Sequence, residues 1–329
     1  MPLDSFPPEI ISIIGNHIAS INDLFNFLRS NRRLYNVLIN SLYRRNTKSD
    51  GGSALVWYAS QGNETGIRSM LAAGGNINIR EPKQAQSTAL MEAVRHNHTA
   101  IVKVLLENGA LPDAADLHSR RPLTLSTSAR SDVAITKLLL EYGANINLVA
   151  FDKRAPLVEA IRSNQDVKVG LLLDHGADIH ITSSRDAMSP LHIAAARNAK
   201  PAIIKVLVDA GIYVDAPDGR GRTPLQVAAM HSSTRAVRWL LDCGATANFE
   251  NTSPDSQGWT ALFYAVKSKN SRIDNKTIIK TLLLHGAKID TTNFAKETPL
   301  LHAVSQGATK QAQILLEYGA NGLSKEELK

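Results

Sequence analysis

Two short signatures recur in phase along this chain, and their period limits what it can fold into. The hexamer LLEYGA stands at Leu139–Ala144 and again at Leu315–Ala320. Variants fill the interval: LLENGA from Leu105, LLDHGA from Leu172, LVDAGI from Leu207, LLDCGA from Leu240 and LLLHGA from Leu282, with MLAAGG from Met70 before them. Their glycines are mostly 33 to 35 residues apart. A period near 33 signals small supersecondary units, none of which can bury its own apolar face, so they must stack.

The second signature keeps step with the first. It reads SAL at Ser53, TAL at Thr88, RPL at Arg121, APL at Ala155, SPLH at Ser189, TPL at Thr223, TAL at Thr260 and TPL at Thr298. Usually 21 or 22 residues separate it from the next hexamer glycine. Ser or Thr caps a helix, and Pro fills its first position, where the missing N–H costs nothing. A short turn leads to a second helix with an apolar run such as IVKVLLE at 101–107. Glycine then supplies the left-handed residue that ends it, and a loop of about a dozen residues leads to the next unit.

This pattern resembles the ankyrin repeat, over about eight copies in residues 53–323, with 324–329 as a tail. The resemblance implies an all-α solenoid with a groove lined by loop tips and first-helix ends. Carried onto matching positions, the groove residues are Trp57, Glu92, Glu159, Tyr264 and His302 just after the capping signature. Near the end of the first helix they are Arg95, His96, Arg162, Arg197, Met230, His231 and Lys267. Trp, Tyr, Met and Arg are frequent interface anchors, although Trp57 and Tyr264 serve equally well as packing residues. Only the fifth copy has the full PLHIAA, at Pro190–Ala195. The third, with Arg121 at the cap and Ser126 in the small apolar position, is expected to be weak. Extra length falls at 249–258 and 267–276, as surface loops or as a partner-specific feature.

Composition narrows the function. The 37 basic and 30 acidic residues are intermixed, and the net charge of +7 forms no run longer than pairs such as Arg120–Arg121. Nucleic-acid binding calls for a clustered basic face, so none is expected. One cysteine, Cys243, excludes an internal disulfide or a thiolate metal site. No apolar stretch approaches the ~20 residues of a membrane span, and no secretory signal opens the chain. A monomer in the cytoplasm and/or nucleus is expected, with the sequons at Asn63, Asn97, Asn251 and Asn275 unmodified.

Motifs that carry a catalytic mechanism are missing: no GxxxxGK[ST], HExxH, CxxC or GxSxG. No enzyme activity, cofactor or metal is expected. His192 takes a structural position, His175 and His285 suit helix C-termini, and His96 and His98, two apart, are not expected to share a face.

Residues 1–45 do not repeat. They read as three short helices: Pro7 and Pro8 open the first, which carries Ile10, Ile13, Ile14 and Ile18 at helical spacing; Leu24, Phe27 and Leu28 lie on the second; Leu34, Val37, Leu38 and Leu42 on the third. Residues 46–52 read as a linker. About 40 residues bury too little surface to fold alone, so the segment needs a neighbour. The order Phe6, Pro7, Glu9, Ile10, then Asp23, Leu24, then Arg32, Arg33, Leu34, Tyr35 resembles the F-box, with Phe6 in place of the usual Leu. The whole layout resembles fungal F-box–ankyrin proteins. That resemblance implies docking on a Skp-family linker protein of a cullin–RING ubiquitin ligase through Phe6, Pro7, Ile10, Ile13, Ile14, Leu24 and Leu28, with the groove holding an unidentified protein substrate. The alternatives are a scaffold or regulator whose first helices only cap the stack, and an enzyme using the groove.

Overall fold

The computed structural model describes residues 54–81, 86–150, 154–182, 186–251, 253, 257–267 and 275–321. The F-box-like segment 1–45, the linker 46–52, most of the insertion at 267–276 and the C-terminal tail lie outside the described residues. The chain divides into an N-terminal unit ending at Asn145 and a C-terminal unit beginning at Ile146.

The N-terminal unit holds three helix pairs: α1 (Ala54–Ser60) with α2 (Glu64–Ala72), α3 (Ala89–Arg95) with α4 (Thr99–Glu107), and α5 (Pro122–Ser126) with α6 (Val133–Glu141). The C-terminal unit holds five: α7 (Pro156–Arg162) with α8 (Asp166–Asp174), α9 (Pro190–Ala196) with α10 (Pro201–Asp209), α11 (Pro224–Met230) with α12 (Thr234–Asp242), α13 (Ala261–Lys267) with α14 (Asn275–Leu284), and α15 (Pro299–Ser305) with α16 (Thr309–Glu317). Within each unit, first helices pack on first helices and second on second. Among the described residues there is no strand, only an isolated bridge between Arg80 and Thr88.

Burial follows the two signatures. The leucines of the capping signature (Leu55, Leu90, Leu123, Leu157, Leu191, Leu225, Leu262 and Leu300) are at most 1% exposed. So are the first leucines of the hexamers, from Leu105 to Leu315. Each contributes about 1.5–3 kcal/mol relative to an exposed side chain. The first helices α9 and α11, each held between two neighbours, are buried almost all round, at six of seven residues. Small residues such as Ala194, Ala195, Ala228 and Ala229 keep those helices close. At the hexamer glycines the requirement is conformational. Gly143 has φ +79°, and a Cβ there would meet nothing within 4 Å, so a side chain would fit but its backbone would be strained.

The caps differ in quality. Ser189 and Thr223 form reciprocal capping boxes with His192 and Gln226. Thr88 and Thr298 accept from Met91 and Leu301 backbone N–H groups. Arg121 and Ala155 give no side-chain cap. The third copy accordingly has the shortest first helix, five residues. Its Ser126 is fully buried, donates to the Leu123 carbonyl at 2.8 Å and accepts from Thr136 at 3.1 Å.

A polar ladder ties successive copies together. Four residues after six of the hexamer glycines stands Asn or Asp, whose side chain accepts the backbone N–H two residues after the next such glycine. In the N-terminal unit Asn78 accepts from Leu111 at 2.9 Å and Asp113 from Asn145 at 3.0 Å. In the C-terminal unit the pairs are Asn147–Asp178 at 2.9 Å, Asp215–Thr246 at 3.0 Å, Asn248–Lys288 at 2.7 Å and Asp290–Asn321 at 3.0 Å. His180 occupies the same position after Gly176 and makes no such bond.

Candidate protein-interaction face

Loop tips and first-helix ends meet along one edge of each unit. In the N-terminal unit Asp116 organises its tip. Its carboxylate accepts the backbone N–H groups of His118 and Arg120, both at 2.9 Å, and the Arg120 Nε–H at 2.8 Å. Burial works to raise its pKa, but these bonds to Arg120 and His118 hold the carboxyl below its ordinary value. Arg95 reaches in from the end of α3, donating to Asp116 at 3.1 Å, Ser87 at 2.8 Å and Glu92 at 2.5 Å. Glu92 and Arg95, expected to face a partner, are therefore committed to one another and to the tip. Trp57 is 47% exposed, edge-on to Tyr58. His96 is exposed, with Nδ1 3.0 Å from the Glu92 carbonyl.

The histidine pair differs from expectation. The His96 and His98 rings lie stacked, 12° from parallel with centroids 6.1 Å apart. The intervening Asn97 has φ +59°, and this left-handed residue brings both side chains to the same side. Helical spacing does not apply across such a turn.

The C-terminal unit repeats the device more strongly. Asp218 accepts the N–H groups of Arg220 and Arg222, both at 2.9 Å, and the guanidinium of Arg222 at 2.7 and 2.9 Å. Arg222 also donates to Asp186 at 3.1 Å, and Arg220 to the other oxygen of Asp186 at 3.0 Å. Burial opposes the Arg222 charge, but the two carboxylates outweigh it and raise its pKa. A buried ion cluster of this kind is held by its satisfied bonds. Arg222 Nη1 touches the Met230 sulfur at 3.6 Å. His231 lies exposed beyond Met230. Partial burial of its ring, then the charges of Arg222 and Arg197, hold its pKa below the ordinary value.

Arg197 and Lys267 are exposed, and Arg162 is half-buried. Lys267 Nζ lies 4.2 Å from the centroid of Trp259. Glu159 sits 3.6 Å from Arg154. Tyr264 and His302 need correction: at 9% and 7% exposure they are buried behind the face. Both pack on Trp259, at 5.3 and 5.1 Å between ring centroids, where aromatic packing outweighs exposure for their large rings. Three polar atoms in this knot, Trp259 Nε1, Thr260 Oγ1 and His302 Nε2, are buried without a hydrogen-bond partner. Gly258 closes it, because a Cβ there would come 2.6 Å from the Phe294 ring.

Asp186, Asp218, Arg222 and Trp259 were not among the residues expected from sequence. Asp116-x-x-x-Arg120 and Asp218-x-x-x-Arg222 at equivalent tips carried the signal. In DGRGRT, the Asp and the last Arg build the turn as much as its glycines do.

An open cavity of about 350 Å³ is lined by Arg68, Leu71, Ala72 and Asn108. It gathers no acid, base or nucleophile into one place. Among the described residues, no three His, Cys, Asp or Glu side chains are grouped so as to hold a metal, and no helix is long and apolar enough to cross a membrane.

Comparison with known proteins agrees with this architecture. The sequence profile "Ankyrin repeats (3 copies)" matches residues 17–116, 169–251, 191–293 and 243–326. No F-box match is found, and the first of these matches begins inside the F-box-like segment. The B-cell lymphoma 3 protein homolog of Mus musculus is 32% identical over 134 residues, 40% of this chain and 29% of that protein. The nuclear factor NF-kappa-B p105 subunit of Mus musculus is 32% identical over 152 residues, 45% of this chain and 15% of that protein. This chain thus spans less than a third of either relative. Among solved structures, the human ASB11 ankyrin repeat domain matches with a TM-score of 0.58 and 28% identity, covering 71% of this chain and 98% of that one.

Proposed function

The chain belongs to the ankyrin-repeat family, and we propose that it is a non-catalytic adaptor whose repeats hold a protein partner. Ankyrin-repeat proteins are in general protein-interaction modules rather than enzymes. The observation that carries the reading is the face of the C-terminal unit. There a rigid Asp186–Arg222–Asp218 cluster fixes the loop tip, while Arg197, Met230, His231 and Lys267 stand at the neighbouring helix ends. Rigid support beneath exposed Arg and Met side chains is what a protein-binding surface needs.

We further propose that residues 1–45 dock this adaptor on a Skp-family linker of a cullin–RING ligase, making it a substrate receptor of the cytoplasm or nucleus. Support for this step is the residue order Phe6, Pro7, Ile10, Asp23, Leu24 alone. The ankyrin match from residue 17 draws the same stretch toward the second reading, a capping element of the array. The mechanism in the receptor case is proximity, since holding the substrate near the ligase raises its effective concentration.

Affinity capture separates the two. A receptor retains a Skp-family protein, loses it in the Ile10→Asp, Leu24→Asp double variant, and keeps its repeat-bound partner when residues 1–45 are deleted. A capped scaffold never retains the linker and loses thermal stability on that deletion. An unchanged set of captured proteins after disruption of the Arg197–Lys267 face would contradict the adaptor reading itself.

A further inference from the structure

We propose that the ends of α9, α11 and α13 bind an extended acidic peptide segment of the partner, with carboxylates about six residues apart on one face of the strand. This inference rests on the adaptor reading and names the chemistry of its partner.

Charge on this face is lopsided. Arg197, Arg220, Arg222 and Lys267 bring four cations, while the carboxylates bonded to them are the two of Asp186 and Asp218. Both carboxylates are spent on Arg220 and Arg222. Arg197 and Lys267 therefore have no carboxylate partner among the described residues, and Lys267 rests only on the face of Trp259. Arg197 and His231 follow the last residues of α9 and α11, as C-caps at the same place in adjacent copies, and Lys267 ends α13. Because α9 packs on α11 and α11 on α13, the three groups form a row.

The row has a pitch. Packed helices lie about 8–10 Å apart, and an extended strand advances about 3.3 Å per residue. A peptide running along the row thus passes one helix end about every three residues, and Arg197 and Lys267 are about five to six residues apart along it. Side chains of an extended strand alternate faces, so carboxylates at i and i+6 lie on one side and would meet the two cations, with the neutral side chains of i+2 and i+4 over Met230 and His231 between.

A nucleic acid fits less well. A nucleic acid carries a phosphate at every nucleotide without a break, which would set phosphates against Asp186 as well as against the cations. A peptide can place neutral residues there.

Labelled 12-residue peptides titrated into the full chain at about 50 mM salt, where exposed charges are weakly screened, test the proposal by fluorescence anisotropy. One peptide carries Glu at i and i+6; a second has the same composition with its Glu residues adjacent; a third has Lys for Glu. A single-stranded DNA of similar length is the fourth probe. The spaced Glu peptide should bind at least fivefold tighter than the others, and Arg197→Glu with Lys267→Glu should abolish that preference while the far-UV circular dichroism stays that of the unchanged chain. Equal binding of the Glu and Lys peptides, tighter binding of the DNA, or indifference to the double substitution overturns the proposal. If the chain captures a protein through this face yet ignores the acidic peptides, the inference fails and the adaptor reading stands.

Discussion

His192 reaches across to the next copy and meets the carbonyl of Arg222, with Nε2 2.8 Å from that oxygen. A carbonyl only accepts, so Nε2 carries the proton and Nδ1 is free to accept from Ser189, whose hydroxyl lies 2.7 Å away. One copy on, Gln226 repeats the arrangement. Its Oε1 accepts the Thr223 N–H at 3.1 Å, and its Nε2 donates to the Phe249 and Trp259 carbonyls at 2.7 and 3.1 Å. His192→Gln should therefore cost little, while His192→Leu leaves the Arg222 carbonyl unpaired and should cost about 1–3 kcal/mol. Urea unfolding of the two variants checks the difference.

Acid should weaken the C-terminal unit in a defined window. Burial, the larger cause, then the Arg222 charge, holds His192 below its ordinary 6.5, against the opposing Arg222 carbonyl bond and the Asp218 charge. His231 is lowered by burial, then by Arg222 and Arg197. Depressed imidazoles bind fewer protons folded than unfolded, so stability is complete above the unfolded value near 6.5 and is lost as the pH falls toward the folded values. Thermal melts between about pH 7.5 and 5.5 should show a falling melting temperature, with a smaller fall in His231→Gln. A wild-type curve flat in that range contradicts the assignment.

The ladder predicts a gain of stability. His180 stands where six other copies place an Asn or Asp that bonds to the next copy. His180→Asn supplies the missing acceptor to the Tyr213 N–H and should stabilise the chain by about 0.5–1.5 kcal/mol. Asp215→Ala removes an existing rung and should destabilise it. Denaturant midpoints of the two variants should move in opposite directions.

Two threonines at equivalent positions should respond oppositely to the same change. Thr223 caps α11, so Thr223→Val should cost about 1 kcal/mol. Thr260 Oγ1 is buried with no partner. Thr260→Val exchanges it for a methyl group of similar shape and should be neutral or stabilising by about 1 kcal/mol. Calorimetry on both variants decides it.

The repeat period, the helix pairs and their buried leucines were legible in the sequence because small repeated units leave each residue the same few neighbours. The Asn or Asp four residues after six of the hexamer glycines is nearly as regular, yet it is legible only once its partner in the following copy is seen. The interaction face was harder to read. Arg95 looks free in sequence, and only the fold brings it to Asp116, 21 residues on. Tyr264 and His302 match Trp57, which is exposed, yet Ile193 and Val227 at the same place are buried as they are, and Trp259 lies beside both. Helical spacing sets His96 and His98 apart, and the left-handed Asn97 breaks that spacing.

The central claim is that the helix ends from Arg197 to Lys267 hold a protein partner. Hydrogen exchange on the full chain, alone and with its captured partner, tests it most directly. The account predicts slowed exchange at the tip around 218–222 and at the ends of α9, α11 and α13, with the second helices unchanged. Protection confined to other surfaces, with none on this row, would contradict it.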